Sequence, residues 1–276
     1  MKLPLQSLLV VTSTLVSSAT SRSSTVIIPS TVNDGPTISQ YISSSPRLDD
    51  NKVLNINATA FGELWYFDVV SSTRPDQALL VAFLASATEG YTPGAAVSSI
   101  LSCEVVVKNG DNVYAAAGLA QNAEISSSGI GTSGVWNGTG CSFSATKDLS
   151  RMTIKLLPPF EITGSITLEP IAPPTLPCGP YGINENMEYA PGFGWTSIVP
   201  YAKTTVDLQA NETAVQFKAD GYHDLNWGDI VFSESVPNYL WARGKLGPYS
   251  MVILAGVDGN GRQRTHIPRI PFTYLT

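Results

Sequence analysis

Apolar and polar positions alternate, or apolar positions run unbroken for the length of a strand, in segment after segment of this 276-residue chain. A period of two puts successive side chains on opposite faces of a strand. Residues 63–70 read as such a strand, with Glu63, Trp65 and Phe67 on one face and Leu64, Tyr66 and Asp68 on the other. Each face then carries a carboxylate among aromatics. Residues 78–84 form a continuous apolar run, predicted as a buried strand. Residues 104–108 and 113–117 flank Asn109-Gly110, a pair that tolerates positive φ and predicts a hairpin. Short strands are predicted over 142–145, 152–156 and 164–168. A proline-rich, extended connection over 171–177 leads to a second set over 205–208, 214–219, 229–232, 239–246 and 249–257, with turns at Gly247-Pro248 and 258–261. Residues 20–50 show little periodicity and read as an irregular lead-in, and no long amphipathic helix is predicted.

One stretch, 221–229, concentrates the chemistry. As a strand it turns Tyr222, Asp224 and Asn226 one way and His223, Leu225 and Trp227 the other. The flanking Gly221 and Gly228 predict bends or close backbone approach. Polar groups packed this densely among aromatics must bond one another or a ligand, since a buried unsatisfied polar group is costly.

Composition narrows the class. Hydrophobic residues make up 43% and charged residues 14% of the chain, and the net charge is −6. A phosphate backbone or an anionic membrane surface attracts a basic footprint, and none is present, so neither partner is expected. The start of the chain, Lys2 followed by a short apolar run to Val16 and small residues to Ala19, reads as a signal peptide over 1–19. No other run is long enough to span a bilayer. Sequons at Asn57, Asn137 and Asn211 fit a secretory route, and an oxidising compartment pairs two of Cys103, Cys141 and Cys178. Cys103 with Cys141 is the expected disulfide, because both lie in the first strand-rich half. Residues 129–134 match G-x-G-x-x-G by letter, but no helix follows to hold a pyrophosphate, so a glycine-rich loop is the reading. No histidine or cysteine spacing resembles a zinc site, and neither a metal nor a cofactor is expected.

Three pieces in order, residues 63–68, 221–228 and 239–250, give the chain a resemblance to the fungal Diels–Alderases of polyketide pathways, related to the carotenoid 1,2-hydratase (hydroxyneurosporene synthase) family. The resemblance implies an all-β protein: an N-terminal β-sandwich over 20–203, then a lipocalin-like β-barrel over 204–276, with a substrate pocket between them. Members of that family continue beyond the point where this chain stops. About 70 residues are too few for eight strands of ordinary length, so the barrel is expected to be shortened. The implied activity is a cofactor-free intramolecular [4+2] cycloaddition of a hydrophobic polyene, of cytochalasan or decalin type.

The residues suit that chemistry, which needs a folded substrate rather than a nucleophile. Trp65, Trp195, Trp227 and Trp241 are candidates to shape an apolar pocket, with Glu63, Asp68, Arg243 and Tyr249 beside them as substrate-binding residues. Tyr66, His223, Asn226 or Arg243 would donate a hydrogen bond to a dienophile carbonyl. Asp224 and Asp68 would orient those donors. Tyr66, His223, Asp224 and Asn226 are therefore the candidate catalytic set. Two other classes stay open: an alkene hydratase, in which Asp224 protonates the substrate, and a non-catalytic lipocalin-like carrier.

Overall fold

A computed structural model describes residues 23–87, 90, 98–177 and 179–272. The expected signal peptide and Cys178 lie outside the described residues. The first strands are β1 (Ser24–Pro29), the short pair β2 (Ile38–Ser39) and β3 (Val53–Leu54), β4 (Gly62–Ser71), β5 (Gln77–Ala85), β6 (Leu101–Asn109) and β7 (Asn112–Leu119). There follow β8 (Asn122–Ser128), β9 (Gly131–Asn137), β10 (Cys141–Ala145), β11 (Met152–Leu156), β12 (Ile162–Pro170) and the short β13 (Thr175–Leu176), β14 (Gly179–Pro180) and β15 (Glu188–Ala190). Two long strands, β16 (Phe193–Ala210) and β17 (Thr213–Gly228), precede a one-turn helix, α1 (Phe232–Ser235). The chain ends in β18 (Asn238–Leu246), β19 (Tyr249–Val257), β20 (Gln263–His266) and β21 (Arg269–Pro271).

The fold is all-β. One antiparallel sheet runs in the order β1-β8-β9-β10-β11-β12-β16-β17-β4-β5-β6-β7 and curls over on itself. Its inner face forms the main core, where Trp65 and Phe83 pack on Trp136 at 5.5 and 4.8 Å between ring centroids and Phe67 packs on Phe143 at 5.7 Å. A smaller sheet, β18-β19-β20 with β21 beside β19, covers the outer face around β4, β16 and β17. The pairing of β16 with β17 shifts register between Ser197 and Val199 and again before Ala202. Bulges of this kind bend and twist a strand pair, which lets one continuous ladder serve both the core and the outer face.

Several expectations are corrected here. The division at 203/204 falls inside β16, and β17 pairs with both β16 and β4, so residues up to 228 belong to the large sheet. The predicted strand over 229–232 is a bend leading into α1. The lead-in contains β1, which pairs along its whole length with β8. The hairpins at Asn109-Gly110 and Gly247 form as predicted, with positive φ at both glycines. Gly221 and Gly228 mark close approaches: a Cβ would lie 2.2 Å from Thr204 Oγ1 at the first and 2.5 Å from Gly192 O at the second.

Cys103 and Cys141 are neighbours in the core, but as free thiols rather than the expected disulfide. They contact through a hydrogen bond. Burial pushes the Cys103 thiol far up, while the bonds from Cys103 and Thr139 hold Cys141 below its usual range. Among the described residues, no helix is long and apolar enough to cross a membrane.

Candidate active site

The site follows from the ladder between β4 and β17. Tyr66 stands opposite Asp224, Leu64 opposite Asn226 and Asp68 opposite Tyr222, and these pairs share the outer face. Trp195 on β16, opposite Asn226, joins them. The alternate pairs, Glu63 with Trp227, Trp65 with Leu225 and Phe67 with His223, point into the main core. The small sheet closes over the outer face with Trp241, Tyr239 and Leu254, and α1 contributes Phe232. A cavity of about 180 Å³ remains. Phe61, Phe193 and Phe232 wall one end, with centroids 5.2–5.9 Å apart. Tyr66 and Trp241, edge to face at 5.8 Å, stand at the other end. Beyond them a groove of about 620 Å³ runs over Leu79, Leu80, Val106, Asp68 and Arg243, and it shares Tyr66 and Trp241 with the cavity.

Asp224 is the polar centre of the cavity. Its Oδ2 accepts from Trp195 Nε1 and from the Tyr222 hydroxyl, both at 2.8 Å, and its Oδ1 accepts from Asn226 Nδ2 at 2.7 Å. Burial outweighs these three donors and pushes its carboxyl up to about 6. At neutral pH it is therefore ionised and orients three neighbours. In the groove, Arg243 pairs with Asp68, and its Nη2 donates to Asp220 O at 3.1 Å. Burial raises the Asp68 carboxyl against the pull of Arg243. The guanidinium also lies 5.8 Å from the centre of the Tyr222 ring.

Of the predicted site residues, Tyr66, Asp224, Asn226, Trp195 and Trp241 meet in the cavity, and Asp68 and Arg243 line the groove. Four others are corrected, because strand alternation turns them to the core. His223 is stacked on Phe67 at 3.9 Å; its Nδ1–H donates to Tyr66 O and its Nε2 meets Asp49 Oδ1, each at 3.0 Å. Glu63 accepts from the Lys52 backbone N–H and from Asn51 Nδ2, and burial pushes it up to about 8. Trp65 Nε1 donates to Asp49 O at 3.1 Å and Trp227 Nε1 to Gln40 O at 3.0 Å. Tyr249 is 40% exposed at the start of β19, away from the cavity. The sequence reading missed Tyr222 as the partner of Asp224 and Asp49 as the partner of His223. The first was visible in the alternation, the second was not. It also missed Phe61, Phe193, Phe232 and Tyr239, which reach the cavity from separate elements.

The sequence profile of Diels-Alderase-like proteins matches residues 29–268. The chain belongs to the Diels-Alderase-like family. Among the relatives of this family member is the quinolone epoxide rearrangement protein asqO of Emericella nidulans, 31% identical over 243 residues, which cover 86% of this chain and 66% of that protein. Diels-Alderase cghA of Chaetomium globosum is 30% identical over 131 residues, covering 42% of this chain and 25% of that one. The crystal structure of CghA with Sch210972 superposes with a TM-score of 0.70 over 90% of this chain and 68% of the other, at 20% identity, a likeness of fold. The chain thus spans about two thirds of the length of asqO.

Proposed function

We propose that this Diels-Alderase-like protein folds a hydrophobic polyene of polyketide or polyketide–amino acid origin and catalyses its intramolecular [4+2] cycloaddition in secondary metabolism, without a cofactor. The observation that carries the reading is the aromatic cavity joined to a longer apolar groove through Tyr66 and Trp241. A flexible chain lying in the groove with its reactive end in the cavity loses the conformations that do not react. Holding diene and dienophile in a near-attack pose supplies most of such a rate enhancement. The Asp224 cluster adds a fixed dipolar wall that needs no reorganisation as charge shifts in the transition state.

A second reading, an epoxide rearrangement, is favoured by the 31% identity to asqO and by a buried carboxyl at about 6. A carboxylate among aromatic rings stabilises positive charge that develops as an epoxide opens. Both readings are isomerisations, so product mass equals substrate mass. The test is incubation with a linear polyene and with a quinolone epoxide, followed by mass spectrometry and NMR of the products against a no-enzyme control. New ring bonds in the polyene product, in one stereoisomer, support the first reading. A skeletal rearrangement of the epoxide alone supports the second. Gain of water, or recovery of both compounds unchanged, overturns both in favour of a hydratase or a carrier.

The proposal extends to a secretory route, on the apolar start and the three sequons. Asn211, exposed at the β16–β17 turn, is the sequon best placed to carry a glycan, whereas Asn137 Nδ2 donates to Asn122 Oδ1 at 2.7 Å. A chain beginning near Thr20 that loses mass on glycosidase treatment fits this route, and an intact Met1 without such loss counts against it.

A further inference from the structure

The small sheet has a second face, turned away from the cavity. On β18, Trp241, Arg243 and Lys245 point inward, to the cavity, to Asp68 and to the Tyr201 hydroxyl. Alternation therefore turns Leu240 and Leu246 outward, and they are 59% and 57% exposed. Antiparallel neighbours share a face, so Tyr249, Met251 and Ile253 of β19 stand beside them, with Arg269 of β21 next to Met251. The register places no acid on this face. At one end, the turn from Leu246 through Gly247 and Pro248 to Tyr249 is exposed throughout.

Averaged over the chain the charge is −6, and no basic footprint is visible. Taken by element, one is. Of the 16 Lys and Arg and 22 Asp and Glu, residues 238–272 hold five and one. That one acid, Asp258, is buried and pairs with Arg264, and Arg243 pairs with Asp68. Arg262 and Arg269 are exposed and form no ion pair among the described residues. A second copy packed face to face would set these arginines against their own kind. It would also bury little. Nine-residue strands, three abreast, make a face of about 30 by 14 Å, on the order of 400 Å². Two such faces bury about 800 Å², below the roughly 1,200 Å² of a specific interface. A lipid surface of negative charge takes up the apolar side chains and attracts the arginines as well.

We infer that the outer face of the small sheet, with the turn at Leu246 to Tyr249 and with Arg269 and Arg262 toward its two ends, is a docking surface for an anionic lipid bilayer, on which the protein lies without crossing it. The sheet stays at the level of the head groups, where water and polar lipid atoms satisfy the unpaired backbone edge of β18. The groove opens along that same edge, at residues 241–244, so a docked molecule holds its groove beside the lipid phase, where a hydrophobic ligand is concentrated. The docking goes beyond the isomerase reading and does not depend on it, and lipid binding rather than turnover measures it.

The test is co-sedimentation of the full chain with vesicles of phosphatidylcholine alone and of an equimolar mixture with phosphatidylglycerol. Binding to the anionic vesicles should be about tenfold tighter, the attraction of two arginines less the repulsion of the acid-rich remainder. Salt at about 1 M, where charges are screened within about 3 Å, should erase the difference. Leu246→Asp combined with Tyr249→Asp should lower binding to both kinds of vesicle by about tenfold or more, with an unchanged circular dichroism spectrum. Arg262→Glu combined with Arg269→Glu should remove the preference for anionic lipid and leave the weaker binding to phosphatidylcholine. If either variant does not fold, the lipid and salt dependence of the unaltered chain decides the matter. No binding to the anionic vesicles, equal binding to both kinds at low salt, or a turn variant that binds as the unaltered chain does overturns the inference. So does a dimer in light scattering that the turn variant dissolves in a chain that binds no vesicle, which gives the face to a second copy instead.

Discussion

Asp224 and His223 are neighbours in sequence with opposite duties. Asp224 faces the cavity with three donors on its carboxylate. Asp224→Asn would set an amide N–H against at least one of those donors. We expect a rate loss on the order of 10- to 100-fold, the effect of about 1–3 kcal/mol of unsatisfied polar groups in the site. Because burial raises this carboxyl to about 6, the ionised form and its activity should rise from pH 5 to pH 7, and that limb should vanish in the variant. A pH–rate profile of both proteins measures it. His223 is buried against Phe67 with Asp49 on its Nε2. His223→Ala leaves Asp49 buried and unpaired, which should cost about 3–5 kcal/mol of stability. Denaturant unfolding should show that loss, while the folded fraction keeps its product stereochemistry. If the stability were unchanged and the stereochemistry lost, His223 would belong to the site after all.

The strands were more legible than the site they build. The two-residue period in 63–68 and 222–227 divides these side chains into the two faces the structure shows. It left open which face is the pocket, because both carry aromatics and a carboxylate. That choice is made by what packs on each side: the curled sheet brings Trp136 and Phe143 to one face, and β18 brings Trp241 to the other. Four aromatic or polar residues were thus placed at the site when they fill the core. The boundary at 203/204 failed because β16 runs for 18 residues through its register shifts, where a strand of ordinary length would have ended. The distinction between faces predicts opposite outcomes for two tryptophans. Trp241→Ala should open the cavity and lower both rate and stereoselectivity, since misplaced reactants lose the proximity advantage. Trp227→Ala should instead cost about 3–5 kcal/mol of stability through the cavity it leaves in the core. Chiral chromatography of the products and thermal unfolding of each variant separate the two effects. A stable Trp227 variant with scrambled products would reverse the assignment of faces.

Over the whole molecule, the curled sheet places acids inside on both of its faces. Asp224 and Asp68 lie under the small sheet, and Glu63 and Asp49 lie in the main core. Burial raises all four carboxyls, Asp224 to about 6 and Glu63 to about 8. In the unfolded chain each would titrate near 4. Between pH 4 and pH 8 the folded protein therefore holds more protons than the unfolded one, and stability falls as pH rises. The contribution of these acids is complete below about pH 4. It is lost through pH 6 for Asp224 and through pH 8 for Glu63. Exposed acids act in the opposite sense at the acid end: hydrogen bonds from Thr146 and Ser150 lower Asp148 to about 2, and Arg74 lowers Asp76. Their protonation removes stability as pH falls below about 4. The melting temperature should accordingly peak near pH 5, on the order of one unit above the unfolded carboxyl values, and decline toward pH 8.5. Glu63→Gln should flatten the decline above pH 6 and make it shallower below, where Asp224 still contributes. Thermal unfolding in steps of pH on the two proteins reads this directly. A melting temperature that rises steadily from pH 5 to pH 8 would mean that the buried acids are ionised without penalty, and that water or another cation reaches Glu63 and Asp224 in the folded protein.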